Sequence, residues 1–405
     1  MNTSSSNTKD QHYRQQLYAL LQVTKAINSN FPSSDLFSIF EYILNRQLGF
    51  SKFAYCSFDE IWKWPISFGA TQETLNIQPE FDLAPFLDMT FLSEQENSQL
   101  QNFDLVIPIH HKNRALAYLL IGELDIELMK RDRKFDLEFI QTISNVIAVA
   151  IENKRLFKDN VQQEIFKREL DMAREVQSML IPSSLPNDEF VDFAAFYQPH
   201  RQVGGDYYDF IRINEHEMIF CVADVSGKGI SAAILMANFQ AYLRAMVQHE
   251  SDLKNLVLGL NDRVVQSAKG EKFITLFIAL YNSKTRELTY VNAGHNPPVL
   301  KKIDGIEILT LGTTGLGMLE KLFRLESGIV HIPEGSVLVC YTDGLVEQED
   351  DSGSDFGIEH LIELIEQNPD KTSEQINAIL VENLVSYKGN QPYVDDIALL
   401  TCRFH

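Results

Sequence analysis

Four aspartates in the second half of the chain, each in a strand-end or turn context, have the residue type and setting for metal chemistry. They lie in Val203-Gly204-Gly205-Asp206-Tyr207-Tyr208-Asp209, Ala223-Asp224-Val225-Ser226-Gly227-Lys228-Gly229, Tyr341-Thr342-Asp343-Gly344-Leu345 and Val394-Asp395-Asp396-Ile397-Ala398. Hard divalent cations prefer carboxylate oxygen and water, so a set of acids without supporting His or Cys points to magnesium or manganese rather than zinc. Taken singly, each motif has a structural reading. Asp343-Gly344 suits a turn, Asp395-Asp396 a solvated strand start, and Gly204-Gly205-Asp206 a hairpin. Three of the four abut apolar runs directly, so their carboxylates are expected to leave sheet ends toward one point, an arrangement that is costly without a cation. Together they can hold two metals, and the expected chemistry is metal-assisted attack by water.

Composition limits what can surround such a site. With 405 residues, 45% hydrophobic and 22% charged, the chain can fill more than one packed core, and two domains with a connector are expected. A formal net charge of -21 argues against nucleic acid and for a protein partner. No apolar run approaches the roughly 20 residues of a membrane helix, and the polar start Met1-Asn2-Thr3-Ser4 lacks a signal-peptide core, so a cytoplasmic location without membrane attachment is expected. Cys56, Cys221, Cys340 and Cys402 are far apart and show no metal-ligand spacing. They read as reduced packing residues.

The elements that must position the acids follow from periodicity. Leu17, Leu20, Leu21, Val23 and Ile27, then Leu36, Ile39, Phe40, Ile43 and Leu44 after the Pro32-Ser33-Ser34-Asp35 cap signal, predict two helices. Strand-like runs follow over residues 53–58, 105–109 and 116–122, and a long helix starts near Asp136. Residues 12–155 therefore read as an α+β domain. The helix continues through Phe157, Val161, Ile165, Phe166, Leu170, Ala173, Val176 and Leu180 as a broken apolar stripe. Gln163 and Gln177 interrupt it where one register wants apolar side chains. Residues 156–185 are expected to be a helical, coiled-coil linker pairing two copies of the chain, with a helix lying on its own domain as the alternative. Pro182 and Pro186 end it. Residues 186–405 alternate strands (190–196, 218–223, 273–280, 288–291, 337–341) with helices (230–247, 253–266, 358–366, 373–385), the pattern of packed sheets covered by helices.

Two resemblances give this outline a name. The order of elements in residues 12–155, with Asp104-Leu105-Val106-Ile107-Pro108-Ile109 and Leu116-Ala117-Tyr118-Leu119-Leu120-Ile121-Gly122 as the central hairpin, resembles a GAF domain. That implies a sensor with an unidentified small-molecule ligand, or a module that only dimerises. The four acid motifs, with Asn292-Ala293-Gly294-His295-Asn296-Pro297-Pro298 and Ser226-Gly227-Lys228-Gly229-Ile230-Ser231-Ala232-Ala233, resemble the metal-dependent type 2C serine/threonine phosphatases of the SpoIIE group, from about Ala173 to the C-terminus.

The second resemblance implies a type 2C-like phosphatase β-sandwich flanked by helices, holding two manganese or magnesium ions. It implies that Asp224 bridges the two metals with the Val225 carbonyl assisting, that Asp343 and Asp395 complete one shell, and that Asp206 holds metal-bound water. Two cations roughly 4 Å apart would then activate the water for in-line attack without a phospho-enzyme. It also implies a substrate, a phosphorylated regulatory protein of the STAS anti-sigma-factor-antagonist type. Arg201 could grip substrate phosphate or form a surface ion pair. Asp396 either exchanges roles with Asp395 or supports the ligands. His295 is either a proton donor or, as the residues favour, a structural support of its turn. Lys228 is expected to set its loop or meet the partner, and Ala398 stands where the family usually has threonine. Two rivals remain: an inactive phosphatase fold that sequesters a phosphoprotein, and a nucleotide cyclase suggested by Gly204-Gly205-Asp206. Tyr207-Tyr208 in place of Glu-Phe speaks against the cyclase.

Overall fold

The structure, a computed structural model, describes residues 3–71, 75–92, 100–111, 114–126, 129, 134–250 and 252–405. The chain divides into two compact units, Met1–Glu164 and Ile165–His405.

In the first unit, α1 (Thr3–Asn28) and α2 (Ser33–Tyr42) precede an antiparallel sheet of β1 (Lys52–Asp59), β2 (Ile61–Phe68), β3 (Thr90–Phe91), β4 (Leu105–His111) and β5 (Arg114–Gly122), ordered β2-β1-β5-β4-β3. Strand alternation sorts β1 between two cores. Phe53 and Tyr55 pack with Val23, Phe40, Ile140 and Ile147, whereas Ala54 and Cys56 pack with Leu83, Phe86 and Phe103. The hairpin partner β2 alternates Trp62, Trp64, Ile66 and Phe68 with Lys63, Pro65 and Ser67, a strand pattern that the sequence reading passed over. Its face carries Lys63, and Pro65 suits the sheet edge it occupies.

Helix α3 (Lys134–Ser178) runs 45 residues without a break, so its residues fall in both units. Between residues 151 and 180 a single residue, Gln177, is buried.

The second unit is a β-sandwich. One sheet contains β7 (Tyr207–Arg212), β8 (Glu217–Val225), β9 (Ile274–Asn282), β10 (Glu287–Ala293) and β13 (Gly312–Thr313), ordered β13-β10-β9-β8-β7, with β14 (Gly328–His331) also pairing with β10. The other contains β6 (Val191–Gln198), β11 (Val299–Lys302), β12 (Gly305–Ile308), β15 (Val337–Tyr341) and β16 (Ile397–Phe404), ordered β12-β11-β15-β16-β6. Helices α4 (Ile230–Val247) and α5 (Leu253–Ala268) share a core with the first sheet, and α7 (Gly357–Gln367) and α8 (Ser373–Lys388) cover the second; the one-turn α6 (Asp343–Val346) lies between β15 and α7. Strand β15 shows why its sequence is uniformly apolar. Leu338 and Cys340 enter the core between the sheets, while Val337, Val339 and Tyr341 enter the one beneath α7 and α8. All four cysteines are free and buried.

Among the described residues one helix, α4, is long and apolar enough by composition to cross a membrane, although Asn238, Gln240 and Arg244 interrupt its apolar residues. Its apolar residues Leu235, Met236, Phe239 and Leu243 are buried in the sandwich core, which accounts for that composition.

Candidate active site

Register brings the four acid motifs to one end of the sandwich. Tyr207 pairs with Ala223, so Asp206, just before β7, and Asp224, at the end of β8, share an edge. Tyr341 pairs with Leu399, so the β15–α6 turn carrying Asp343 lies beside the start of β16, which carries Asp395 and Asp396. Close backbone approaches lock these turns together. A Cβ on Gly205 would lie 2.8 Å from the Val225 carbonyl oxygen, and one on Gly344 would lie 2.0 Å from that of Asp396. Glycine is required at both positions.

The electrostatics are those of crowded, desolvated acids. Asp206 is 1% exposed, and its Oδ2 is buried with no hydrogen-bond partner. Burial, then the charges of Asp224 and Asp396, hold its carboxyl well above the usual carboxylate range. Asp224 is pushed up to about 7 by burial and by Asp343. Asp343 rises to about 6 through burial, Asp395 and Glu347. A buried, oxygen-only set whose members resist ionising beside one another fits a hard divalent cation. Among the described residues, no three His, Cys, Asp or Glu side chains converge closely enough to hold an ion as they stand. Asp395 instead meets Lys228, whose Nζ lies 2.9 Å from Oδ2 and also donates to the Val394 carbonyl at 2.6 Å. Lys228 thus ties the loop after β8 to the loop before β16.

The neighbours left open by sequence resolve into roles. Asp396 accepts from the His200 N–H (2.7 Å) and the Gly205 N–H (2.6 Å), so it cradles the loop that precedes Asp206. His295 is 5% exposed; its Nδ1 lies 2.9 Å from Thr275 Oγ1, and its own N–H donates to Asn292 Oδ1. Burial pushes its pKa down to about 4, so at neutral pH the ring is uncharged and has no acidic proton to give. Thr275 faces Asp224 across β8 and β9, which gives His295 a supporting position behind that acid. Arg201 is exposed on the loop before Asp206. Ala398 exchanges backbone bonds with Thr342, donating its N–H to Thr342 Oγ1 at 2.8 Å and accepting the Thr342 N–H at 3.1 Å. That link needs no side chain at position 398. Sequence reading missed Thr342, Gln177 and Arg244. Arg244 forks onto buried Asp209 at 2.8 and 2.7 Å, and the Tyr207 hydroxyl donates to the same carboxylate. The second aspartate of the Asp206-Tyr207-Tyr208-Asp209 motif was the available signal for that cluster.

The family model of Stage II sporulation protein E (SpoIIE) matches residues 214–405. Those residues are a SpoIIE-family domain. Phosphoserine phosphatase RsbU of Bacillus subtilis (strain 168) is 29% identical over 299 residues, which cover 74% of this chain and 85% of that protein. Phosphoserine phosphatase RsbP of the same organism is 26% identical over 57% of this chain, and Protein IcfG of Synechocystis sp. is 24% identical over 73% of it. The aligned regions span about half of these two proteins, 56% of RsbP and 50% of IcfG. Among solved structures, the SiaA-PP2C domain of Pseudomonas aeruginosa superposes with a TM-score of 0.53 at 18% identity, over 60% of this chain and 98% of that one. The shared fold is the PP2C-like sandwich. The family match and the phosphoserine phosphatase relatives mark this domain as a protein serine phosphatase with a PP2C-like fold.

Proposed function

We propose that this chain hydrolyses phosphoserine or phosphothreonine on a bacterial regulatory protein, in the cytoplasm, with Asp206, Asp224, Asp343, Asp395 and the Val225 carbonyl holding two divalent ions. The observation that carries this reading is the meeting of four acid-bearing turns at one sandwich end, with a buried Asp206 oxygen that has no protein partner. A bound divalent cation supplies Lewis acidity and an activated water. The chain's own residues do the rest. Asp396 and the glycines hold the acid-bearing turns in register, Lys228 fixes the rim, and neutral His295 braces the strand beside Asp224.

The substrate class we favour, on the resemblance of the acid motifs to the SpoIIE group, is a STAS-type phosphoprotein in a partner-switching system; the similarity to a phosphoserine phosphatase supports a phosphoprotein substrate. The first unit acts as a GAF-like regulatory domain, and its groove of about 700 Å³ between α1 and α2, lined by Tyr18, Leu21, Phe31 and Tyr42, is a candidate for its ligand. The connector pairs two copies of the chain. Phe157, Val161, Ile165, Phe166, Met172 and Val176 are exposed along α3 and Met179 just past its end, and Ile165, Met172 and Met179 recur every seven residues.

The test is hydrolysis of p-nitrophenyl phosphate and of a phosphorylated STAS protein by the purified chain, with and without manganese, beside Asp224→Ala. Manganese-dependent turnover that the substitution abolishes is expected. Full biological effect retained by Asp224→Ala would establish the sequestering scaffold instead.

A further inference from the structure

The polar residue that breaks the apolar stripe of α3 makes the contact between that helix and the candidate active site. Gln177 is 7% exposed in a stretch of helix otherwise open to solvent. Its Nε2 donates to the Gly204 carbonyl at 2.7 Å, and its Oε1 accepts the Gly204 N–H at 3.2 Å. One planar amide thus satisfies both polar groups of one buried residue, as a neighbouring strand would.

Gly204 has no slack. A Cβ there would lie 2.3 Å from Tyr197 Oη and 2.5 Å from Asp396 Oδ2. The next residue, Gly205, is bonded to Asp396 and abuts the Val225 carbonyl, and the one after it is Asp206. Displacement of Gly204 is therefore passed through one glycine to an acid and a carbonyl of the candidate site. Beyond Ser178 the chain is also tethered, since Gln240 of α4 donates to the Leu180 carbonyl at 3.4 Å.

We propose that Gln177 is a positioning residue: its paired hydrogen bonds to Gly204 hold Asp206 and the Val225 carbonyl in place, so that a turn or withdrawal of the end of α3 loosens the metal site. This rests on the phosphatase reading for its catalytic consequence, but not for its structural one. A leucine would suit the helical stripe better and would leave both Gly204 groups unpaired; glutamate keeps the shape and the acceptor but turns an oxygen toward the Gly204 carbonyl.

The experiment compares full-length wild type, Gln177→Glu and Gln177→Leu by hydrogen exchange, by manganese titration calorimetry and by manganese-dependent turnover. The expected result for Gln177→Glu is exchange at least tenfold faster, confined to residues 203–207. A manganese dissociation constant and a half-activating concentration each raised at least tenfold are expected with it, while turnover at saturating manganese changes less than threefold. Gln177→Leu should do the same more strongly. Unchanged exchange in 203–207, or faster exchange spread evenly over the second unit with manganese affinity intact, would overturn the proposal and leave Gln177 a fold-stabilising residue only. If wild type binds manganese but does not turn over, the phosphatase reading falls while exchange and calorimetry still decide the role of Gln177. If it does not bind manganese, the exchange pattern alone decides.

Discussion

Asp206, just before β7, and Asp209, within it, are three residues apart and each 1% exposed, yet they live in opposite chemical worlds. Asp209 is gripped by both nitrogens of the Arg244 fork and by the Tyr207 hydroxyl. Asp206 faces Asp224 and Asp396 and keeps an oxygen without a partner. Burial is common to both, so burial does not mark a site. What separates a structural acid from a functional one is whether the protein itself completes its hydrogen bonding.

The sharpest break of this comparison is at the unsatisfied end. Asp224→Asn should lower manganese-dependent turnover on the order of 10³-fold, because charge stabilisation by a metal site is worth several kcal/mol and each 1.36 kcal/mol is tenfold in rate. The same substitution should raise the melting temperature of the metal-free protein at pH 8, since it removes a charge from a crowded, desolvated cluster. Calorimetry in chelator, beside the turnover assay, checks both signs.

At the satisfied end the signs reverse. Arg244→Met leaves Asp209 buried and uncompensated and should cost roughly 3 kcal/mol, the low end for a broken buried pair because Arg244 itself is about half exposed. That corresponds to a fall of about 2–4 °C in Tm per kcal/mol for a domain of this size. Manganese affinity should change far less than with Asp224→Asn, and equal loss of both would erase the distinction between the two acids.

A pH series sharpens the comparison further. The raised values of Asp224, about 7, and Asp343, about 6, lie above that of a free carboxylate in the unfolded chain, roughly 4. Between those limits the folded chain keeps protons that the unfolded chain releases. Their contribution to stability is complete below about pH 4 and is lost as pH rises through 6 and 7. In chelator, denaturant midpoints should therefore fall over this window relative to Asp224→Asn, and the stabilisation by manganese, which needs the ionised acids, should grow over it. The smallest effect is expected behind the site. Thr275→Val removes the hydroxyl beside His295 Nδ1 and should cost about 1 kcal/mol in stability, read by urea denaturation, with less than a threefold change in turnover.

Much of this architecture was legible in the chain. The helices read at 230–247 and 373–385 are found at Ile230–Val247 and Ser373–Lys388, the second opened by a capping box of Thr372 with Gln375. Strand β15 was visible as an apolar run because both its faces are buried. By contrast β7 and the short β11 to β14 are edge or brief strands whose residues alternate poorly, so pairing rather than propensity makes them strands, whereas β2 alternates well and was passed over because Lys63 and Pro65 interrupt it. Among the acids, residue type and the adjoining apolar runs pointed to convergence, but adjacent Asp395 and Asp396 were inseparable. Strand direction separates them, turning one toward Lys228 and the other toward two backbone N–H groups.

The sequence by itself determined the elements with strong period, the acidic, oxygen-only character of the site and the turns that carry it, because these depend on local geometry and side-chain chemistry. Only the tertiary structure decided which buried acid has its partners and which does not, and that the misfit glutamine of the connector is a ligand for Gly204. Those outcomes depend on residues 27 to 191 positions apart meeting at hydrogen-bond distance, and no local pattern in a chain encodes the distance between its remote parts.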